Sequence, residues 1–547
     1  MEVAKQALKT LLDSKTTEVA KYSEAKYADI KTTLEAAYVA AEGKKDSTSK
    51  EELANAKTIL EAAVQKATSD KTAKDIDEAK KALKAVLDKK IEELAKYTIA
   101  DAKYSLDAVK EKLEQAFTAG QTAHNKQQTT VDELNSAKTT LENAITTAGT
   151  EKTEVETLYN NTRNALLSRF AKMYEYKELH GINVELFDKY NEASVEFYNQ
   201  GNKLDKEKLQ SIKSKIDDAV NKAEQAKGTA NKLTTSTQNI HLIKFNEVNE
   251  ASSNSTLEDA IDPSNTLSIP FYAGPNGNEA IKKASELKFN FSVPTTIKSV
   301  RLQQYTRGDS GKDEGIASIT VYGYTEGNQW QEIGKITGEG ESAQQLQKIE
   351  NVKVDVPADK LSTKYKIITL KSDKDTGKWW GIRDVEIIDG SDKRIYIETP
   401  IVVSSFSYPR YYLDAKRLKY KNEAPENNTY KRENLFDNNL ATFNIYRHGV
   451  GDTQKSLKND TLYLEFLKPM NIHSLTLHQD AVLKLNNIKV TLITEDNKTV
   501  EKTFDNTDNK VLFQVAGDDL NKKYKQVKIE NLSDSTSFWQ LNEIEIL

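Results

Sequence analysis

All nine prolines of this chain lie at residue 263 or beyond, and the first 228 residues contain none. Proline removes a backbone donor and clashes with the preceding helical turn, so a stretch that long without it, rich in Ala, Lys, Glu and Leu, can be helical almost throughout. Past the polar segment 227–239, KGTANKLTTSTQN, the pattern changes. Pro, Gly and aromatics appear, and apolar residues begin to alternate with polar ones, the period of strands and not of helices. Two halves are therefore expected, the first helical and the second β, joined by a linker. At 547 residues the chain exceeds one core, because single cores stop growing at roughly 250–300 residues. Three to five domains are expected.

The helical half repeats itself with a period of about 75–80 residues. AKQALKTLLDSKTTEVAKY at 4–22 matches AKKALKAVLDKKIEELAKY at 79–97, and LANAKTILEAAV at 53–64 matches LNSAKTTLENAI at 134–145. Leu209, Ile212, Ile216, Ala219 and Val220 keep the spacing of Leu134, Ala137, Leu141, Ala144 and Ile145, a third and diverged copy with one apolar helical face. Each copy has room for three helices. The last opens on Ser49-Lys-Glu-Glu52 or Thr130-Val-Asp-Glu133, the pattern in which hydroxyl and carboxylate satisfy exposed amides reciprocally. Three-helix bundles at 1–74, 75–152 and, diverged, 153–230 follow. The Ala-rich opening and the SAKTTLENAI close resemble the FIVAR family of bacterial surface proteins and secreted glycosidases. That resemblance implies a spacer or a protein-contact role, with no chemistry of its own.

From 240 onward, short alternating stretches such as SITVYGYT (318–325) and YKIITLK (365–371) stand between Gly, Asp, Asn and Pro turns, as in antiparallel sandwiches. A break at 397–409 divides them into 240–396 and 400–547. The first holds, in order, EDAIDPSNTLSIPF (258–271), LKFNFSVPTTIKSVRLQQYTRG (287–308), IASITVYGYTEGNQWQEIGKI (316–336) and KWWGIRDVEII (378–388). The second holds ENLFDNNLATFNIY (433–446), DTLYLEFLKPMNIHSLTLH (460–478), IKVTLITEDNKTVEKTF (488–504) and SFWQLNEIEIL (537–547), without the central Trp. This order resembles the discoidin-like, or coagulation-factor type C, fold, whose bacterial branch is the family-32 carbohydrate-binding module. The fold class expected is thus multidomain: all-α three-helix-bundle repeats, then two all-β jelly-roll sandwiches.

The resemblance implies that an early loop and the closing strand grip a structural Ca²⁺, a hard cation that needs several oxygens. The matching positions are Asp262, Asn265, Thr266 and Asp384 in the first sandwich, and Asp437, Asn439, Thr442 and Glu543 in the second. Pro263 and Asp384 stand where the family has Gly and Glu. The same residue types also make Asx-turns without any ion. Glycan recognition calls for aromatic faces and planar donors on loops at one sandwich end. Phe271, Tyr272, Tyr305, Arg307, Trp379 and Trp380 offer these in the first sandwich; Tyr446, Arg447, His448, His478 and Phe538 do so in the second. Alternation allows only one of Trp379 and Trp380 to be buried, and Trp539 reads as core.

Several functions are argued against. The net charge of −5 is interspersed, with no basic stripe for nucleic acid. No cysteine is present, which removes disulfides and thiol chemistry, and the six His fit no metalloprotease or hydrolase motif. No apolar run is long enough to span a bilayer. The amino terminus enters an amphipathic helix directly, so a signal or anchor, if the natural protein has one, is expected outside this sequence. Arg307-Gly308-Asp309 is an integrin-type tripeptide, short enough to recur by chance. The expectation is a non-enzymatic, extracellular or bacterial-surface segment whose sandwiches bind host glycans or glycoproteins and whose helices form a stalk. A host serum-protein binder acting through the helices, and an accessory region of a larger glycosidase, are the alternatives.

Overall fold

A computed structural model describes residues 1–99, 103–199, 203–238, 241–242, 257–261, 271–274, 283–304, 318–337, 352–373, 380–405, 432–446, 456–535 and 539–547. Two compact units are present: Met1–Thr157 with Lys203–Lys206, and Leu158–Asn202 with Glu207–Leu547. The helices are α1 (Glu2–Asp13), α2 (Lys15–Ala20), α3 (Ala28–Glu42), α4 (Lys50–Leu87), α5 (Lys90–Ala95), α6 (Asp107–Asn125), α7 (Val131–Leu167), α8 (Arg169–Tyr174), α9 (Ile182–Tyr198), α10 (Lys206–Lys227) and the short α11 (Leu257–Ile261).

In the first unit, α1 and α3 pack on α4 around Leu8, Tyr22, Tyr38, Leu53 and Leu60. The same places recur one period later, where Leu83, Tyr97, Phe117, Leu134 and Leu141 are buried. α4 is a single helix of 38 residues, so position 74/75, where the sequence repeat suggests a seam, falls inside it; position 152/153 falls inside α7. Both helix starts use the expected caps, with one difference. Thr130 and Glu133 bond reciprocally, Thr130 N to Glu133 Oε2 at 3.0 Å and Glu133 N to Thr130 Oγ1 at 3.1 Å. At α4, Ser49 Oγ accepts from Glu52 N, but the Glu52 carboxylate turns to Ser47, whose hydroxyl accepts the Ser49 N–H instead.

The second unit contains two antiparallel sandwiches. The first is built from β1 (Leu233–Gln238), β2 (His241–Leu242), β3 (Phe271–Gly274), β4 (Glu286–Gln304), β5 (Ser318–Thr325), β6 (Trp330–Thr337), β7 (Val352–Asp355), β8 (Lys364–Ser372), β9 (Trp380–Asp389) and β10 (Arg394–Ile395). One face runs β1-β4-β8-β5-β6; the other runs β2-β3-β9-β4-β7, with β10 on β9. β4 serves both. Its register shifts between Asn290 and Thr295, across Pro294, where a residue without an N–H suits a bulge.

The second sandwich comprises β11 (Ile401–Ser405), β12 (Asn444–Tyr446), β13 (Thr461–Asn471), β14 (Ser474–Gln479), β15 (Ile488–Thr494), β16 (Thr499–Phe504), β17 (Lys510–Gln514), β18 (Lys523–Asn531) and β19 (Trp539–Ile546). Its sheets, β11-β13-β18-β15-β16 and β12-β19-β14-β17, repeat the order of the first. β13 and β14 take the place of the two halves of β4, and a register shift again crosses a proline, Pro469. The likeness extends to single turns. In the β5–β6 and β15–β16 hairpins, Asn328 and Asn497 hold φ of 60° and 64°. Thr325 and Thr494 Oγ1 accept from Gln329 and Lys498 N–H, and Lys366 and Lys525 cap the two Asn side chains. At Gly323 a Cβ would lie 2.2 Å from the ring of buried Tyr365, so only glycine lets that ring lie against β5.

Within this unit, α8 and α9 are bound to the sandwiches through the segment joining them. Glu398 is fully buried. Its carboxylate accepts the N–H of Gly181 and of Asn183, the latter at 2.7 Å, and so satisfies the first turn of α9, while Asn183 Nδ2 donates to the Glu398 carbonyl at 2.7 Å. Gly181, with φ of +88°, supplies the left-handed turn that aims these amides. Phe170 packs on Phe436 and Phe466, Lys468 pairs with Asp188, and Leu233 N donates to Glu178 O at 2.8 Å.

Candidate functional site

The second sandwich brings its four expected oxygen-bearing residues together. A 3-10 turn at Arg432–Phe436, anchored by buried Leu435 and Phe436, delivers the loop 437–442 to the side of β19. Asn438 there adopts φ of 59°, a conformation Asn tolerates. Asp437 Oδ1 accepts from Asn439 N at 2.9 Å, and Thr442 Oγ1 lies 2.9 Å from Asp437 Oδ2 and 2.7 Å from Asn439 O. Asn439 N also reaches Glu543 Oε2 at 3.3 Å, and Asn542 Nδ2 donates to Leu440 O at 2.9 Å, so the closing strand holds the loop from two sides.

Glu543 is only 3% exposed. Burial, with the neighbouring Asp437 charge second, pushes its carboxyl up to about 9, against the pull of the Asn439 and Asn438 amides. Two carboxylates, a hydroxyl and loop carbonyls form an all-oxygen set that fits a hard divalent cation. Asp437 and Glu543 would supply the charge. Among the described residues no group of three or more His, Asp or Glu side chains is arranged to hold a metal ion.

The equivalent place in the first sandwich is differently used. Asp384 occupies on β9 the position of Glu543 on β19, opposite Gln303 where the other has His478. Both its oxygens are taken by guanidinium groups, Arg301 at 2.7 Å and Arg394 at 2.6 Å, and Arg301 also pairs with Glu386. Asp262, Asn265 and Thr266 lie outside the described residues.

Of the candidate sugar contacts, Phe271 and Tyr272 stand on β3 beside β9, with Phe271 opposite Ile382 and Tyr272 opposite Gly381. Trp380 is a correction: it is fully buried in the sandwich core and presents no face to a ligand. Its neighbour Trp379 lies outside the described residues, as do Tyr305, Arg307 and the rest of the Arg-Gly-Asp tripeptide, Arg447, His448 and Phe538. Tyr446 is also mostly buried, its ring 5.4 Å from Trp539. Trp539 donates to Gln479 Oε1 at 2.7 Å and is core. His478 sits mid-strand with Nε2 3.2 Å from Glu545, whose other oxygen lies 3.5 Å from Arg163. Sequence reasoning missed Arg163, Asn183 and Glu398, whose partners are distant in the chain and leave no local signal.

No family profile matches the chain, and no curated protein does. Solved structures with similar parts include the CBM32-1 and CBM32-2 domains of Clostridium perfringens ZmpB (13% identity, 57% of this chain and 91% of that one, TM-score 0.20). The family 32 module of C. perfringens NanJ in complex with galactose is another (10% identity, 27% and 92%, TM-score 0.19). A mutant of the lectin-binding domain of lectinolysin complexed with Lewis b is a third (17% identity, 21% and 80%, TM-score 0.17). At these scores the neighbours carry no argument about what this chain binds, which rests on its own residues.

Proposed function

We propose that the chain is a non-catalytic carbohydrate-binding segment of an extracellular or bacterial-surface protein, whose sandwiches take up cell-surface or host glycans and whose helical repeats act as a stalk. The observation that carries this reading is a repeated one. Each sandwich sets a short strand, β3 or β12, against the closing strand, β9 or β19. In the sequence Trp379 directly precedes β9 and Arg447-His448 directly follow β12, while Tyr305 to Arg307 follow β4. Buried Trp380 and Trp539 anchor the closing strands, each next in sequence to an aromatic residue, Trp379 and Phe538, that this reading assigns to a sugar ring. Ca²⁺ held by Asp437 and Glu543 would stiffen the loop 437–442 and take no part in chemistry. Two linked sites would raise weak single-site affinity where both reach the same surface.

Glycan-array binding by the full chain tests the reading. Binding that falls at least tenfold in Tyr305→Ala, Arg307→Ala or Trp379→Ala for the first sandwich, and in Arg447→Ala for the second, supports it. An array on which the folded chain is inert overturns it.

A further inference from the structure

Arg169, at the start of α8, is 2% exposed, and neither of its terminal nitrogens, Nη1 and Nη2, has a hydrogen-bond partner among the described residues. A guanidinium is always charged in proteins and normally meets a carboxylate when it leaves water. Here none of the described carboxylates lies within ion-pair distance of it; Glu545, a neighbour of Tyr198, is engaged by Arg163 and His478.

The surroundings follow from helix geometry. α7 and α8 run antiparallel to α9, since Tyr159 stacks on Phe197 at 5.0 Å and Asn183 Nδ2 bonds Met173 O at 2.8 Å. That pairing puts Arg169 level with Phe187. A helical side chain leans toward the N-terminus of its helix, and the guanidinium lies over the Phe170 ring, 4.8 Å from its centroid, with the Tyr198 and Tyr190 phenols as electrostatic neighbours. Tyr190, Ser194 and Tyr198 are four residues apart and form one stripe on that face. Ser194 is fully buried with an unpartnered hydroxyl, and the Tyr198 hydroxyl is likewise sealed and unpartnered among the described residues. Thr162, at the same level on α7, has already spent its proton on Leu158 O. The other wall is the second sandwich: Phe170 packs on Phe436 and Phe466, and the Tyr198 ring lies 5.4 Å from His473.

We propose that Arg169, Ser194 and Tyr198 form an internal site for one small monovalent anion of the halide class, which neutralises the guanidinium and helps hold the α8–α9 hairpin against the second sandwich. The guanidinium can only donate, the Ser194 and Tyr198 hydroxyls can turn their protons toward an anion, and one positive charge calls for one negative charge. A multiply charged oxyanion would overcompensate, and the sealed position suits a monatomic ion. Burial pulls the Arg169 guanidinium down to about 10, and it pushes the Tyr198 phenol upward, so that this hydroxyl keeps its proton to donate.

Two measurements on the full chain test the site. Crystals grown in sodium bromide should show an anomalous peak within hydrogen-bonding distance of the Arg169 terminal nitrogens. The thermal midpoint should rise saturably with chloride against gluconate at constant ionic strength. Ser194→Ala should raise the half-saturating chloride by about tenfold, the loss of one hydrogen bond to an ion, and Arg169→Met should abolish the dependence. Water in place of bromide overturns the proposal, as does a midpoint equal in chloride and gluconate, or a chloride dependence unchanged in Ser194→Ala. Should Arg169→Met fail to fold, the bromide map of the native chain decides.

Discussion

Replacing Glu398 by Gln keeps shape and volume while removing one acceptor. In the native chain the two carboxylate oxygens serve two amides, Gly181 and Asn183, at the first turn of α9. Gln can offer its carbonyl to one of them; its NH₂ then faces the other. The loss is one hydrogen bond to a charged group, about 1.5–3 kcal/mol, plus about 1–3 kcal/mol for a buried N–H left against another donor. The sum is about 2.5–6 kcal/mol, and water cannot replace the acceptor because the residue is fully buried. A chain of several domains does not unfold in one step, so the local quantity is measured. Hydrogen exchange at the Gly181 and Asn183 amides should accelerate by two to four orders of magnitude, about tenfold for each 1.4 kcal/mol. Amides of β15 and β16, far from the junction, should change little. Acceleration below tenfold at both amides would refute the assignment of Glu398 as the group that closes α9 onto the sandwiches.

Glu543→Gln should act in opposite directions with and without calcium. The raised carboxyl favours the folded state below about pH 4.5 and loses that contribution as pH climbs toward 9, so in EDTA at pH 7 the variant should be more stable by about 1–3 kcal/mol. It should also lose any calcium-induced rise in melting temperature; a wild type indifferent to calcium would remove the cation from the reading. Burial lowers the His180 pKa, so below pH 6.5 the unfolded chain takes up a proton that the folded chain refuses, and stability falls toward the folded value. In His180→Gln the unfolding midpoint should decline less between pH 6.5 and 5, and identical slopes would count against it. Gly323→Ala should cost about 2–4 kcal/mol in the first sandwich, read by urea unfolding through Trp fluorescence, because a methyl group would meet the Tyr365 ring.

The division into helices and strands was legible because proline use and apolar period change together, and because local rules act alone at the caps: Thr130 and Glu133 bond as their spacing implies. Ser49 and Glu52 kept half the pattern, since Ser47, two residues earlier, competes for the carboxylate. That Asp437, Asn439 and Thr442 gather beside Glu543 was legible through their spacing, whereas the fate of Asp384 was not: Arg301 reaches it across a strand pair and Arg394 from the adjoining strand β10. Alternation allowed one of two adjacent tryptophans to be buried but could not say which. Arg169 and Glu398 left no trace in the sequence, because each is defined by groups hundreds of positions away or by a helix packed beside it.

α4 makes the first two helical copies share one rigid shaft. Because the backbone turns 100° and advances 1.5 Å per residue, the number of residues between Ala67, in the core of the first copy, and Ala79, buried in the second, fixes an angle as well as a distance. A single residue inserted past Asp75, the α4 residue that accepts the hydrogen bond of buried Tyr27, would swing the second copy by about 100° about the α4 axis. Whole turns of about 3.6 residues would lengthen the shaft and nearly restore the heading. Within the shared helix, only insertions or deletions close to whole turns would keep each copy facing as it did.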